Sequence, residues 1–363
     1  MKRDHNTQTV GVRAIDVGYF QTKFTLGRQR AGGNAGPIIT ECFPSIAPKV
    51  EPARHVVTGP MSAPVKGRLI RIGDLDYFVG PEARFYASST APRSIGENFS
   101  ESATYKALTY GALDQMAAKS GGFELVIENL VVGLPCNTIS KYGPGLKRWL
   151  EAEPHMIASA IEGADAVRHR VIVRKAHVIA QPFGALVDYG VVRGNSVDGW
   201  ALVVDPGGGT LDWFCASKQK ANWARSGAYP KAMLTCAFAV ADAISPDLRD
   251  SVEVIERIDR AIRRVDGVSQ FKVEGVTHEI SNYWERVESV LQEAVDKMMA
   301  SVGKSADLDL ILVTGGGAGV FSAFMKKSYP VLANRIQPLE DSVFANVRGF
   351  HAIGEQLQAA GSK

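Results

Sequence analysis

Apolar and polar positions along the chain follow two periods, which predicts strands and helices in regular succession. One helix is predicted at 101–118, with Ser102 as a candidate cap. Its apolar positions recur at helical spacing and are Tyr105, Leu108, Ala112 and Met116. Further helices are predicted at 232–244, 251–265, 281–300 and 342–357, and strands at 10–16, 21–26, 125–133, 171–174, 177–179, 201–205, 211–216 and 308–313. This alternation predicts an α/β fold built from two successive halves.

The stretch 28–98 interrupts the first half. It is rich in Gly, Pro, Ser and Arg and carries only short apolar runs, so we expect an insertion of small strands rather than a linker.

Composition narrows the class of protein. The chain has 363 residues, of which 45% are hydrophobic and 22% charged, as in globular proteins. No run of about 18 uncharged apolar residues is present, so we expect no membrane span. The polar stretch 1–9 does not resemble a secretory signal, and we expect a cytoplasmic protein. A net charge of +3 is too small to indicate direct binding to nucleic acid. The four cysteines are far apart in sequence, which favours free thiols over a zinc site or a disulfide scaffold.

The sequence VVDPGGGTLDW at 203–213 places a glycine turn directly after a predicted strand. Asp205 precedes the glycines, and Thr210 and Asp212 follow them. Consecutive glycines let backbone N–H groups converge on an anion, because no Cβ blocks the approach. Taken alone, a tight hairpin between two strands explains the turn equally well.

Two other segments also place a glycine turn directly after a predicted strand. IDVGYFQTK at 15–23 ends a strand at Asp16, turns at Gly18 and returns through Lys23. LVTGGGAGVF at 312–321 follows an apolar strand and begins a helix, whose N–H groups suit a sugar or a base. The spacings of the P-loop, of the Rossmann fingerprint and of the nucleophile elbow are absent.

Together the three turns resemble the actin-like ATPase superfamily, which also contains sugar kinases and DnaK-type chaperones. The resemblance implies two α/β lobes, each ribonuclease H-like, around an interlobe nucleotide cleft. The first lobe would comprise 9–195 and 337–363, with the inserted subdomain at about 28–98. The second lobe would comprise 196–336, with a helical subdomain at about 228–300.

Within that superfamily the chain is most similar to plasmid-segregation actins of the ParM/StbA type. The supporting features are VGLP at 132–135, FPS at 43–45, the D-x-G-x-x-x-x-K form of the first turn, and Asn346 with Gly349. AHVIAQPFGALVDYG at 176–190 resembles the first connecting helix, and FANVRGFHAIG at 344–354 resembles the second. Gln181 stands where this type commonly has Glu, which leaves the manner of water activation open.

The resemblance assigns ATP and Mg²⁺ to these residues. Asp16 and Asp205 would hold Mg²⁺ through water, and Asp205 and Gln181 would orient the attacking water. The residues placed against nucleotide are Gly18, Tyr19, Phe20, Lys23, Gly207, Gly208, Gly209, Thr210, Gly315, Gly316 and Gly317.

Several residues keep a second interpretation. Lys23 would otherwise be a solvated strand residue, and Gln181 would only begin a helix. Asp212 either joins the acidic cluster formed by Asp16 and Asp205 or caps its own turn. The arginines of the basic helix face at 251–265 are expected to be solvated, with contact to adenosine or to a neighbouring subunit as the alternative, and they are Arg257, Arg260 and Arg264.

The resemblance further implies an ATPase that polymerises with ATP and disassembles after hydrolysis. Its partners would be further copies of itself and a DNA-binding adaptor used in plasmid segregation. A sugar or small-molecule kinase is the alternative, but no acid outside the glycine turns is a candidate for its general base. A monomeric chaperone-like switch is a third possibility and would need a substrate-binding domain.

Overall fold

The structure, a computed structural model, describes residues 7–31, 34–50, 65–87, 96–152, 154–160, 167–194, 197–218 and 220–361. Within these ranges the chain forms two large sheets and a two-stranded one, with helices packed on the large sheets.

The first sheet contains nine of the described strands. In chain order they are β1 (Thr7–Val17), β2 (Gln21–Ala31), β3 (Asn34–Pro44), β4 (Lys49–Val50), β5 (Arg68–Ile72), β6 (Leu75–Val79), β7 (Glu124–Leu134), β8 (His155–Ala160) and β9 (Val167–Ala180). Their order across the sheet is β3-β2-β1-β7-β9-β8-β5-β6-β4. Strands β1, β7 and β9 pair in parallel at its centre, whereas β1, β2 and β3 are antiparallel neighbours.

Two helices cover one face of this sheet, α1 (Ala103–Ser120) and α2 (Ile139–Leu150). The Ser102 hydroxyl accepts a hydrogen bond from the Tyr105 N–H at 3.1 Å, which confirms the predicted cap. The four apolar positions predicted for α1 are all buried, as expected for core positions.

Two details of the first half differ from the expectation. The strands predicted at 171–174 and 177–179 are one strand, β9, because β7 pairs with it in a single register from Glu124 to Leu134. The gap between the two predicted strands, at 175–176, includes Lys175, which is exposed on the continuous strand. The stretch expected to hold only small strands includes the eleven-residue β3, and its positions 51–64 and 88–95 lie outside the described residues.

The second half repeats the sheet-and-helix arrangement. Its described strands are β10 (Trp200–Pro206), β11 (Leu211–Ser217), β12 (Lys220–Ala221), β13 (Gly227–Tyr229), β14 (Gln270–Val273), β15 (Val276–Glu279), β16 (Leu308–Val313) and β17 (Ile336–Pro338). The helices after β9 are α3 (Gln181–Arg193), α4 (Met233–Ile244), α5 (Val252–Ile262), α6 (Trp284–Val302), α7 (Ala318–Ser328) and α8 (Ser342–Gly361). The second sheet has the order β12-β11-β10-β16-β17, with β13 beside β11, and β14 and β15 form a separate hairpin.

Helix α5 has the buried apolar face and the exposed basic face that its sequence predicted. Ile255, Ile258 and Ile262 are buried against α4 and the neighbouring helices, while the arginines on the other side are exposed. The predicted solvated basic face is therefore confirmed. None of the helices within the described ranges is long and apolar enough to span a membrane.

Helices α3 and α8 connect the two halves and cross in close contact. A Cβ on Gly349 would overlap the carbonyl oxygen of Gly184, so both positions need glycine for the helices to approach this closely. Arg348 reinforces the crossing by donating two hydrogen bonds to the carboxylate of Asp188, at 3.0 and 2.8 Å. The predicted arrangement of two α/β lobes around a cleft is thus observed.

We expect Gly349→Ala to destabilise the protein by about 1–3 kcal/mol, because the neighbouring backbone cannot move aside as a side chain could. The matched control is Gly145→Ala in α2, where a Cβ meets nothing within 4 Å. That variant should be neutral or slightly stabilising, since alanine favours a helix interior. Thermal melting of both variants checks this, and equal melting temperatures would contradict the proposed importance of the crossing.

Candidate functional site

Two β-hairpin turns face each other across the cleft. In the first, Asp16 on β1 is paired across the ladder with Lys23 on β2, and the Gly18 N–H closes the turn on Gln21. In the second, Asp205 on β10 is paired with Asp212 on β11. Each sheet therefore ends a central strand with an aspartate followed by a glycine turn.

The two turns are in direct contact. A Cβ on Gly208 would lie 2.5 Å from the Phe20 ring, and one on Gly209 would lie 2.7 Å from the Tyr19 ring. Tyr19 is held by stacking on Phe99 and by donating its hydroxyl proton to the carbonyl of Gly96 at 3.0 Å. The glycines are needed because the aromatic residues of the first turn fill the space that side chains would occupy.

Asp16 is bound by two donors. Lys23 Nζ lies 3.0 Å from Asp16 Oδ2, and the Gln181 amide donates to Asp16 Oδ1 at 2.8 Å. Burial alone would lower the pKa of Lys23, but the nearby carboxylates of Asp16 and Asp205 raise it above the usual value. Lys23 is therefore a fixed positive charge of the cleft, and its alternative as a solvated strand residue is wrong.

Asp205 is held from the opposite side by Asn346. The Asn346 amide donates to Asp205 Oδ2 at 2.6 Å. Burial raises the pKa of Asp205 to about 6, although Lys23 and Asn346 favour its charged form. A Cβ on Gly315, whose φ is +75°, would overlap Asp205 Oδ1, so the third glycine turn adjoins this carboxylate.

Asp212 links the two lobes. It accepts a hydrogen bond from the Thr210 hydroxyl at 2.6 Å and another from the backbone N–H of Cys136, at the end of β7, at 3.0 Å. Burial raises the pKa of Asp212 to about 7. Asp212 therefore lies beside Asp205 in the cleft, and the backbone that it caps is that of Cys136 rather than that of its own turn. The Thr210 hydroxyl donates its proton to Asp212 in this arrangement, which leaves its lone pairs to accept from a donor.

The third glycine turn lies between β16 and α7. The Gly317 N–H donates to the carbonyl of Pro206 at 3.0 Å, which joins this turn to the second hairpin. Gly316 is exposed and faces Arg263, whose guanidinium is bound to Asp259. Arg263 was not predicted, whereas Arg257 and Arg260 of the same helix form ion pairs with Glu253 and Asp266 outside the cleft.

A single cleft joins these elements. Of the predicted site residues, those that line it are Asp16, Gly18, Tyr19, Phe20, Lys23, Gln181, Asp205, Gly207, Gly208, Thr210, Gly315 and Gly316. Gly209 lies behind them against Tyr19, and Gly317 packs on Met233. Asn346 also lines the cleft, and its only signal in the sequence was the Asn-x-x-Gly pattern.

Comparison with known proteins identifies the fold. Residues 14–184 match the family described as the N-terminal domain of actin-like proteins. No curated protein sequence matches the chain. Among solved structures, apo psk41 ParM is 18% identical, with 97% of this chain and 99% of that chain covered and a TM-score of 0.65.

Two further structures extend the likeness. The ADP complex of Ta0583, an archaeal actin homologue, is 17% identical, with coverage of 95% and 99% and a TM-score of 0.67. A 15-stranded ParM filament from Clostridium botulinum is 18% identical, with the same coverage and a TM-score of 0.70. At these identities the likeness shows the fold, and the predicted resemblance to actin-like proteins of the ParM type is confirmed at that level.

The raised pKa values give the ligand-free protein a defined pH dependence. A carboxyl group whose pKa rises on folding, from about 4 in the unfolded chain, favours the folded state at low pH and loses that contribution as pH rises through its folded value. We therefore expect Asp212→Asn to gain stability relative to the wild type between about pH 4 and pH 7, because the amide cannot ionise. Denaturant unfolding of both proteins at several pH values measures the difference, and the exposed Asp250→Asn serves as control. A difference that does not change with pH would contradict the assignment.

Proposed function

Starting from an actin-like fold whose first half matches the actin-like N-terminal domain, we propose that this chain binds and hydrolyses ATP in the cleft and assembles into filaments. The observation that carries the proposal is the convergence of three glycine turns and two buried aspartates on one cleft.

The chemistry of the lining suits a nucleoside triphosphate. The glycine turns offer backbone N–H groups to phosphate oxygens, and Lys23 adds a positive charge between Asp16 and Asp205. The third turn at Gly315 and Gly316 opens beside α7 and Arg263, where a ribose and a base would lie.

The same lining suits Mg²⁺ held through water. Asp16 and Asp205 each have a carboxylate in the cleft, and no larger set of carboxylate, His or Cys side chains converges for direct ligation among the described residues. This donor set fits Mg²⁺, which binds few carboxylates and keeps several waters. When bound, the ion would neutralise the charge that develops on the transferred phosphate.

Two residues are proposed to orient the attacking water. Gln181 uses its amide N–H on Asp16, which leaves its carbonyl oxygen to accept a proton of that water. Asp205 would hold the water from the other hairpin, since its carboxylate faces the same cleft.

Assembly would follow from lobe closure. The crossing of α3 and α8 joins the lobes, so a ligand held by both hairpins favours one angle between them. Head-to-tail contacts between identical subunits give open filaments when the rotation does not close. We propose a lobe division at 195 and 337, cytoplasmic filaments, and a DNA-binding adaptor that links them to plasmid DNA. The similar ParM from Clostridium botulinum forms a 15-stranded filament, which supports the proposal.

For catalysis we expect Asp205→Ala to abolish nearly all phosphate release, because metal positioning and water orientation are both lost. Gln181→Ala should slow hydrolysis by about 10- to 100-fold while nucleotide binding is retained, because one hydrogen bond to the attacking water is lost. Phosphate release measures hydrolysis, and the rise in melting temperature with ATP and Mg²⁺ measures binding.

The control for both variants is Asp250→Ala, an exposed residue outside the cleft. Equal loss of binding and hydrolysis in Gln181→Ala would refute its assignment to the water. A wild-type melting temperature that does not change at millimolar ATP and Mg²⁺ would refute nucleotide binding itself.

For assembly we expect light scattering to rise with ATP above a critical protein concentration and to decay as ATP is consumed. Asp205→Ala, if it retains nucleotide, should form filaments that persist, because hydrolysis favours disassembly. Electron microscopy of the same samples distinguishes filaments from amorphous aggregates. Scattering that stays flat across a wide concentration series would favour the kinase or the monomeric switch.

A further inference from the structure

We propose that Asn346 is a positioning residue of the cleft, which holds Asp205 in place and ties it to the crossing of α3 and α8. The inference rests on the proposed function, because it assigns regulation of the same ATP site. Asn346 acts through Asp205, and its role is to keep that carboxylate at a fixed place relative to Asp16.

The contact itself is short and buried. Asn346 is 4% exposed, and its Nδ2 donates to Asp205 Oδ2 at 2.6 Å. Because a carboxylate only accepts hydrogen bonds, the contact fixes the orientation of the amide and turns its oxygen away from Asp205. That oxygen is buried and has no hydrogen-bond partner among the described residues. An unpaired acceptor that lines a cleft can accept a hydrogen bond from a bound ligand, for example from a water molecule of a hydrated cation.

Asn346 has a counterpart on the other connecting helix. Gln181, the first residue of α3, donates its amide to Asp16 at 2.8 Å. Each connecting helix thus supplies one amide to one of the two aspartates. The backbone carbonyl of Asn346 would overlap a Cβ on Gly184, so Asn346 itself belongs to the crossing point of the helices.

The position of Asn346 along α8 connects three parts of the molecule. Four residues earlier, the carbonyl of Ser342 accepts from the Gly315 N–H at 3.1 Å, and the Ser342 hydroxyl donates to the Gly315 carbonyl at 2.9 Å. Four residues later, Phe350 packs on Ala14 of the first sheet. Since residues four apart share one face of a helix, a shift of α8 at the third glycine turn also moves the amide that holds Asp205.

The alternative is that Asn346 only fills space at the helix crossing, and two kinds of variant separate the roles. Asn346→Leu keeps the approximate shape and removes the donor. Asn346→Ser and Asn346→Ala are nearly equal in size, and only the serine keeps a donor. A positioning role predicts that the leucine variant loses function, whereas a packing role predicts that it keeps function and that both small variants lose it.

The test measures nucleotide affinity with EDTA, nucleotide affinity with Mg²⁺, and single-turnover hydrolysis. For Asn346→Leu we expect affinity in EDTA within about twofold of the wild type, because the glycine turns and Lys23 are intact. We expect the gain in nucleotide affinity that Mg²⁺ gives, and the hydrolysis rate, each to fall by about 10- to 100-fold. This is the effect expected when a hydrogen bond to a charged group is lost. Asn346→Ser should keep more of the Mg²⁺-dependent gain in affinity, and more of the hydrolysis rate, than Asn346→Ala. The control is Gln356→Ala, an exposed position on the same helix.

The outcomes separate this inference from the function on which it rests. If the wild type binds no nucleotide, the proposed function and this inference both fail. If the wild type binds and hydrolyses ATP and Asn346→Leu equals it, only the inference is overturned. If Asn346→Leu does not fold, the serine and alanine pair decides, and equal Mg²⁺ responses in the two would overturn the inference.

Discussion

The burial of three carboxylates on the walls of one cleft is the constraint on which the rest of the site depends. Asp16, Asp205 and Asp212 are all less than 9% exposed, and buried negative charge is costly unless donors meet it. The donors present are Lys23, Thr210, Gln181, Asn346 and the backbone N–H of Cys136. They come from both sheets and from both connecting helices. Satisfying the aspartates therefore fixes how the lobes meet.

The turns were predictable because their signals are local. Glycines after a strand, an aspartate before them and a returning strand are all contiguous in sequence, and the hairpins lie where they were expected. The partners of the aspartates were not predictable in the same way. Asn346 meets Asp205 across 141 positions of the chain, and Cys136 meets Asp212 across 76. Periodicity carries no information on such pairs, since it reports the face of an element and not the neighbour of that face.

The helices show the same limit on prediction. The burial of the isoleucine face of α5 followed from spacing alone, because that helix buries one apolar face. Helix α1 is buried on more sides than its predicted positions indicated, since Thr109, Leu113 and Asp114 are buried as well. Strand β9 was wrongly predicted as two strands, because its continuous pairing with β7 is a tertiary contact that the pattern of apolar positions does not report. The role of Gln181 was open for a related reason, since only the folded chain brings its amide to Asp16.

The likeness to ParM at 18% identity is consistent with a fold that fixes few positions. The glycines at the turns and at the helix crossing are limited by contact distance, and the aspartates by their donors. Much of the remaining surface and core can change as long as polarity and volume are kept.

The helix crossing also couples binding in the cleft to binding on the outer surfaces of the lobes. Gly184 and Gly349 let α3 and α8 pack closely, and the same helices hold Asp16 through Gln181 and Asp205 through Asn346. A ligand that prefers one lobe angle therefore changes the affinity of the outer surfaces for whatever they bind, and linkage requires the same factor in return. A molecule that binds to both lobes on their outer surfaces would thus change the affinity of the cleft for its ligand without entering the cleft.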